Sequence, residues 1–167
     1  MKRTHLGTGI FTLLLLVLIT VSSMAVFAST NAKLENILSS NTAPEGVVFE
    51  IVDWEDEHLA EAIPWVNQQI ISLRQKFPGL SIAVVSHGSE QFALMTDSKN
   101  AYPEIHKKVQ GLITDHDIKL ELCLGHARMR GFDQSDFPDY VDIEASGPSQ
   151  ISAYERLGYA LVLVDLE

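Results

Sequence analysis

Gly46-Val47-Val48-Phe49-Glu50-Ile51-Val52-Asp53 decides the fold, together with two stretches downstream of it: apolar residues at Ile63, Val66, Ile70, Leu73 and Phe77, then Leu80-Ser81-Ile82-Ala83-Val84-Val85-Ser86. The first run is short, apolar and rich in β-branched residues, the pattern of a strand buried on both faces. The spacing 3, 4, 3, 4 after it is one stripe of an amphipathic helix. Pro64 suits a first helical turn, or else kinks a helix begun near Glu55. Pro78-Gly79 ends the helix, and the third run is a second buried strand, stopped by His87-Gly88. Strand, helix and strand in that order make a βαβ unit.

The rhythm continues to the end of the chain. Glu90 to Met95 reads as a short helix, and Ile105, Val109, Leu112 and Ile113 as another helical stripe. Ile118 to Leu124 is a third strand, and Ala127 to Arg130 begins a short helix that Gly131 ends. Val141, Ile143 and Ala145 alternate with charged neighbours, which places them on a strand near a sheet edge. Ser146-Gly147-Pro148 turns into a helix from Ser149 to Leu157. Gly158 caps it, and Ala160 to Val164 is a last apolar strand. Alternating strands and helices predict an α/β fold with three layers, α/β/α: a mainly parallel five-stranded sheet, Rossmann-like or flavodoxin-like, with helices on both faces.

Ahead of this domain, Met1-Lys2-Arg3 is a short basic start and Ile10 to Val21 is apolar. Val26-Phe27-Ala28 then offers acceptable residues to a signal peptidase, so residues 1–28 read as a secretory signal peptide. The apolar run is short of the roughly 20 residues a spanning helix needs. Counting the whole uncharged stretch from Leu6 to Ala32 leaves an uncleaved N-terminal anchor as the alternative. Residues 29–45 are polar and rich in Ser, Asn and Ala, and read as a flexible linker or loosely ordered arm; residues 46–167 form the α/β domain. Export would place the mature chain in the periplasm.

Removal of Lys2 and Arg3 leaves 10 basic against 22 acidic residues, a net charge of −12. Such a surface repels phosphate backbones, which argues against nucleic acid as a partner. It argues equally against anionic lipid, so no membrane contact is expected beyond the N-terminal segment.

Ligands of parallel sheets sit beyond the carboxyl ends of the strands. Here those ends carry Asp53 and Trp54, Ser86 to Ser89, Cys123 to His126, and Ala145 to Ser149. One rim therefore collects a thiol, the histidines His87 and His126, and turns containing Gly88, Gly125, Ser146 and Gly147. Cys123 is the only cysteine of the chain. It cannot pair within its own chain, so in an oxidising compartment it stays a thiol, pairs between chains or carries a modification. Two meanings are open to it: a buried small hydrophobe, or a reactive centre at a helix start with His126 three residues on and Arg128 and Arg130 beyond.

Other chemistries are weaker. Cys123, His126 and His87 could ligate a metal, but closed zinc sites want four ligands and no fourth is evident, so no metal is assigned. Ser86-His87-Gly88-Ser89 lacks the Gly-x-Ser-x-Gly context of a hydrolase. No Gly-x-Gly-x-x-Gly or phosphate-binding loop is present, and no cofactor is expected. Asp53, Trp54 and the acidic run Glu55 to Glu57 read as a cap and a solvated face. Phe132, Phe137 and Tyr140 make an aromatic-rich loop after the cysteine segment, read by default as ordinary packing.

From Gly46 to Val164 the chain resembles the DsrE/DsrF-like sulfur-relay family. The motifs that carry the resemblance are His87-Gly88 after the second strand, Cys123 at the end of the third strand with Gly131 eight residues on, Ser146-Gly147 after the edge strand, and Leu157-Gly158-Tyr159 before the last strand. Many single-cysteine members read Cys-x-Asn-Thr where this chain has Cys123-Leu124-Gly125-His126. The resemblance implies a DsrE-like α/β layer domain, usually a homo-oligomer. Its cysteine would carry persulfide sulfur to or from a partner protein, with His126 tuning the thiol, Arg128 attracting anionic sulfur species, and His87, Gly88, Gly125, Ser146 and Gly147 forming a binding rim. The alternative is a non-enzymatic, oligomeric binding or scaffold module with a structural Cys123.

Overall fold

Five strands pair side by side, all parallel, in the order β4-β3-β2-β1-β5. They are β1 (Gly46–Ile51), β2 (Ser81–Ser86), β3 (Lys119–Cys123), β4 (Asp142–Glu144) and β5 (Tyr159–Leu163). The helices are α1 (Ala32–Ser39), α2 (Leu59–Lys76), α3 (Pro103–His116), α4 (Leu124–Met129) and α5 (Gly147–Arg156). The computed structural model describes residues 32–165. The signal-peptide segment lies outside the described residues. Among the described residues, no helix is long and apolar enough to cross a membrane.

The strand order explains how the helices divide between the faces. From β1 to β4 the chain steps across the sheet in one direction, and then returns past three strands to place β5 beside β1. Crossovers between parallel strands are right-handed. A reversal of direction therefore puts the returning helix, α5, on the face opposite α2 and α3. The two clusters of buried side chains agree. Val47, Phe49, Ile82, Val84, Leu120 and Leu122 face the stripes of α2 and α3. Val48, Ala83 and Val85 meet Ile151 of α5, with Tyr154, Tyr159 and Leu161 packed around them. Helices cover both faces, as alternation predicts, but unequally, and among the described residues α5 alone covers one of them.

The helix stripe of α2 is the predicted one as far as Leu73, extended backward: Leu59, Ala62, Ile63, Val66, Ile70 and Leu73 are buried, and Phe77 follows the helix as its half-buried C-cap. Pro64 falls inside α2, in its second turn, after a short 3₁₀ turn over Asp56–His58. Residues 89–94 form a 3₁₀ segment that is buried throughout. Gly131 and Gly158 follow α4 and α5 in the left-handed region, at φ 86° and 87°, where a side chain would be strained.

The linker expected over residues 29–45 is different in its described part. Ala32–Ser39 is helical, and Leu34 and Ile37 are buried in the same core as α2. The Ser/Asn/Ala composition concealed this, because two apolar residues three apart are enough to dock a two-turn helix once a core face is there to receive them.

Candidate functional site

The carboxyl ends of β1 and β2 are tied together by Glu90, a carboxylate whose sequence context suggests only an ordinary short helix. Glu90 is fully buried. Its Oε1 accepts the Ser86 hydroxyl at 2.7 Å and the Gly88 N–H at 3.1 Å; its Oε2 accepts the Asp53 N–H at 2.8 Å. Burial pushes the Glu90 carboxyl above its ordinary range, and these donors partly offset that. Gly88 has no room for a Cβ, which would meet Glu90 Oε2 and the Asp53 backbone. The His87 N–H donates to the Ile51 carbonyl at 3.1 Å and the Ser89 N–H to the Asp53 carbonyl at 2.6 Å. The rim between β1 and β2 is thus a closed hydrogen-bonded brace.

Cys123 ends β3 and stands as the N-cap of α4. Its sulfur accepts the His126 backbone N–H at 3.4 Å. The Gly125 N–H donates to the Ala145 carbonyl at 3.1 Å, joining the start of α4 to the end of β4. A Cβ on Gly125 would stand 3.1 Å from that carbonyl oxygen and 3.8 Å from the sulfur, so glycine lets the two segments meet. Cys123 is 7 % exposed. Beside it, Phe92 lies against the His126 ring and against Phe132, with centroids 5.4 Å apart in each pair.

Gln91 is a site residue that the sequence did not single out. It is fully buried, and its Oε1 accepts the Cys123 N–H at 2.9 Å. Its Nε2 has no hydrogen-bond partner among the described residues. The one signal for it is the polar pair Glu90-Gln91 opening an otherwise apolar turn.

The structure brings Cys123, Gly125 and His126 together, but through backbone rather than through the expected side chains. The His126 ring pairs with Phe92 and makes no hydrogen bond to the thiol. Arg128 is 64 % exposed on its side chain and pairs with Asp133 at 3.4 Å. The guanidinium packed on Phe92 is that of Arg130, 5.6 Å from the ring centroid. His87 Nε2 bonds Glu50 Oε1 at 2.8 Å, and Gly147 packs on it so closely that a Cβ there would stand 2.5 Å from the His87 Cβ. Ser146 caps α5, its hydroxyl accepting the Ser149 N–H at 3.3 Å. Among the described residues, no three His, Cys, Asp or Glu side chains are grouped to hold a metal ion.

A second feature of the rim lies at the ends of β1 and β5, where the strand order reverses. There a cavity of about 390 Å³ is lined by Val52, Asp53, Trp54, His58, Glu61 and Leu163, among others. Asp53 Oδ1 meets His58 Nδ1 at 2.7 Å and accepts the Trp54 and Glu55 N–H groups at 2.6 and 3.1 Å. Burial raises the Asp53 carboxyl, but these hydrogen bonds outweigh it and hold the group below its ordinary value. The bond to Asp53 in turn raises His58. Asp53 bonds its own loop's amides instead of capping a helix, since Glu55 and His58 hold the N-cap positions that follow; Trp54 is not merely solvated but forms part of a cavity wall.

No protein-family model matches the chain, and no curated protein does. Solved structures do. A protein of unknown function from Methanobacterium thermoautotrophicum, MTH1491, is similar with a TM-score of 0.55 at 21 % identity, over 71 % of this chain and 97 % of that one. The ychN protein from E. coli is similar with a TM-score of 0.54 at 14 % identity, over 72 % of this chain and 99 % of that one. These likenesses show the fold: a five-stranded, all-parallel α/β layer shared with those proteins and consistent with the DsrE-like architecture that the sequence resembles.

Proposed function

We propose that the domain handles sulfur through Cys123, taking up and passing on a persulfide sulfur in the periplasm, as a homo-oligomer working with a donor or acceptor protein. One observation carries the reading. The chain's only sulfhydryl stands at the carboxyl end of a parallel strand with a backbone N–H already directed at its sulfur. A donor in that position is strengthened when the sulfur carries negative charge. The buried carboxamide of Gln91 fixes the Cys123 backbone, which holds the sulfur in place.

The step is balanced without an oxidant. The Cys123 sulfur attacks the outer sulfur of a donor persulfide, a new S–S bond forms, the donor's S–S bond breaks, and the donor leaves as a thiolate. Arg128 is tied to Asp133 by an exposed ion pair, a weak hold that leaves the guanidinium open to an anionic donor. His126 contributes its main chain.

The test is intact-mass measurement after incubation with a persulfide donor. The wild type gains ~32 Da, one sulfur on the thiol, and Cys123→Ser gains nothing. Absence of that mass on a folded wild type would sink the proposal.

The small exposure of Cys123 favours a second reading, a binding or scaffold module in which the thiol is structural. Labelling by iodoacetamide separates the two: reaction in the folded state supports sulfur handling, and reaction only after denaturation supports the scaffold.

A further inference from the structure

The cavity between β1 and β5 is not explained by Cys123. Strand β2 lies between β1 and β3, so the two places are separated by about two strand spacings, roughly 10 Å. In open parallel sheets the crevice at the reversal of strand order is where ligands bind. Here the order runs 4-3-2-1 and then 5, so that crevice is the one between β1 and β5.

Its walls have a chemical bias. Five large hydrophobic side chains are exposed among the described residues: Val52, Trp54, Met129, Leu157 and Leu163. Three of them, Val52 at 42 %, Trp54 at 82 % and Leu163 at 47 %, line this one cavity. Exposed apolar groups gathered in a concave site mark a binding surface. The polar side chains of the lining are three carboxylates and one imidazole: Asp53, Glu61, Asp165 and His58, with no lysine or arginine. His58 is committed to Asp53, and Glu61 contributes its carboxylate to the same lining as the Trp54 indole. The chain as a whole carries a formal charge of −10, which concentrates cations at its surface and repels anions.

We propose that this cavity binds a small organic cation with an apolar or aromatic body, seated with its ammonium against the Trp54 face and Glu61 and its body against Val52 and Leu163. An indole face and a carboxylate together recognise such a cation, and a bare metal ion would leave the apolar wall unused. The cavity walls alone carry this site, which stands whether or not Cys123 carries sulfur.

The test uses the purified protein and three probes with a common benzyl body: benzyltrimethylammonium, its neutral isostere neopentylbenzene, and the anion phenylacetate. Binding is followed by amide chemical shifts at residues 52–54 and 163–165. The expected result is saturable shifts there with the cation, with the neutral and anionic probes at least about ten-fold weaker. Trp54→Ala and Glu61→Gln, both on exposed side chains, should each weaken the cation by about three- to ten-fold, and Trp54→Phe should restore part of the loss. Equal or tighter binding of phenylacetate would overturn the proposal. So would shifts indifferent to Trp54→Ala, or no shifts with any probe because a second copy of the chain covers the patch.

Discussion

Replacing Glu90 by glutamine keeps the side chain's shape and removes one acceptor from a site that needs two. Three donors converge on the wild-type carboxylate: the Ser86 hydroxyl at 2.7 Å, the Asp53 N–H at 2.8 Å and the Gly88 N–H at 3.1 Å. In either orientation the new NH₂ group faces a backbone N–H, Asp53's or Gly88's, and leaves it without an acceptor. An orphaned buried donor costs about 1–3 kcal/mol. Relief from burying the charge offsets part of this, so Glu90→Gln should lose about 1–2 kcal/mol. Glu90→Ala strands all three donors and should lose about 3–6 kcal/mol, a large share of the ~5–15 kcal/mol typical of a domain. Urea unfolding at pH 7 reads both, the glutamine variant shifting its midpoint by roughly 1 M for an ordinary slope.

The sign of the pH dependence is a separate check on Glu90. Burial raises its folded-state value above the ordinary 4.5. The contribution of that shift is therefore fully present below 4.5 and is lost as pH rises through the folded value. The gap between wild type and Glu90→Gln should narrow as pH rises over that window. Amide exchange at Asp53 and Gly88 should quicken first. A glutamine variant as stable as wild type at every pH would refute the brace, and a gap that widens with pH would show that the three donors outweigh burial and overturn the raised value.

The same structure gives three other expected outcomes. Leu34→Ala in α1 should cost about 2–4 kcal/mol by the unfolding midpoint, since Leu34 belongs to the main core; an exposed tether would show no change. Gly147→Ala should destabilise by about 1–3 kcal/mol because its Cβ would stand 2.5 Å from the His87 Cβ, while Gly111→Ala, whose Cβ would meet only Asp115 Oδ2 at 3.7 Å inside α3, should stabilise by about 0.5–1 kcal/mol in the same assay. His106 is buried, with its ring between the Ala93 carbonyl at 3.1 Å and the Tyr140 hydroxyl at 2.6 Å, and burial lowers it below its ordinary 6.5. The unfolded chain then takes a proton that the folded one refuses, so stability should fall as pH drops below about 6.5, and His106→Asn should lose that part of the slope.

The alternation of strands and helices was legible because each element carries its own periodicity. The β-branched run at Gly46 and the stripe from Ile63 to Phe77 needed no knowledge of their partners, and β1 and α2 form there. The rim was legible for the same reason, since strand ends and glycine turns are local marks. The side chains on that rim were less so. Arg128 and Arg130 differ by two residues, and only the fold gives one to Asp133 and the other to Phe92. Glu90 and Gln91 look like the solvated start of a short helix. Their burial depends on what β1 and β3 bring to them, the Asp53 and Cys123 amides 37 and 32 residues away.

The sequence by itself thus determined an α/β layer, its core stripes and a thiol at a strand end. Tertiary structure alone decided that β5 returns beside β1, that α5 lies on the face opposite α2 and α3, that a helix in the supposed linker joins the core, and that a cavity opens at Trp54. The reason is physical. Periodicity records which side of an element is apolar, whereas strand order and crevices depend on pairings and crossover directions between segments far apart in the chain.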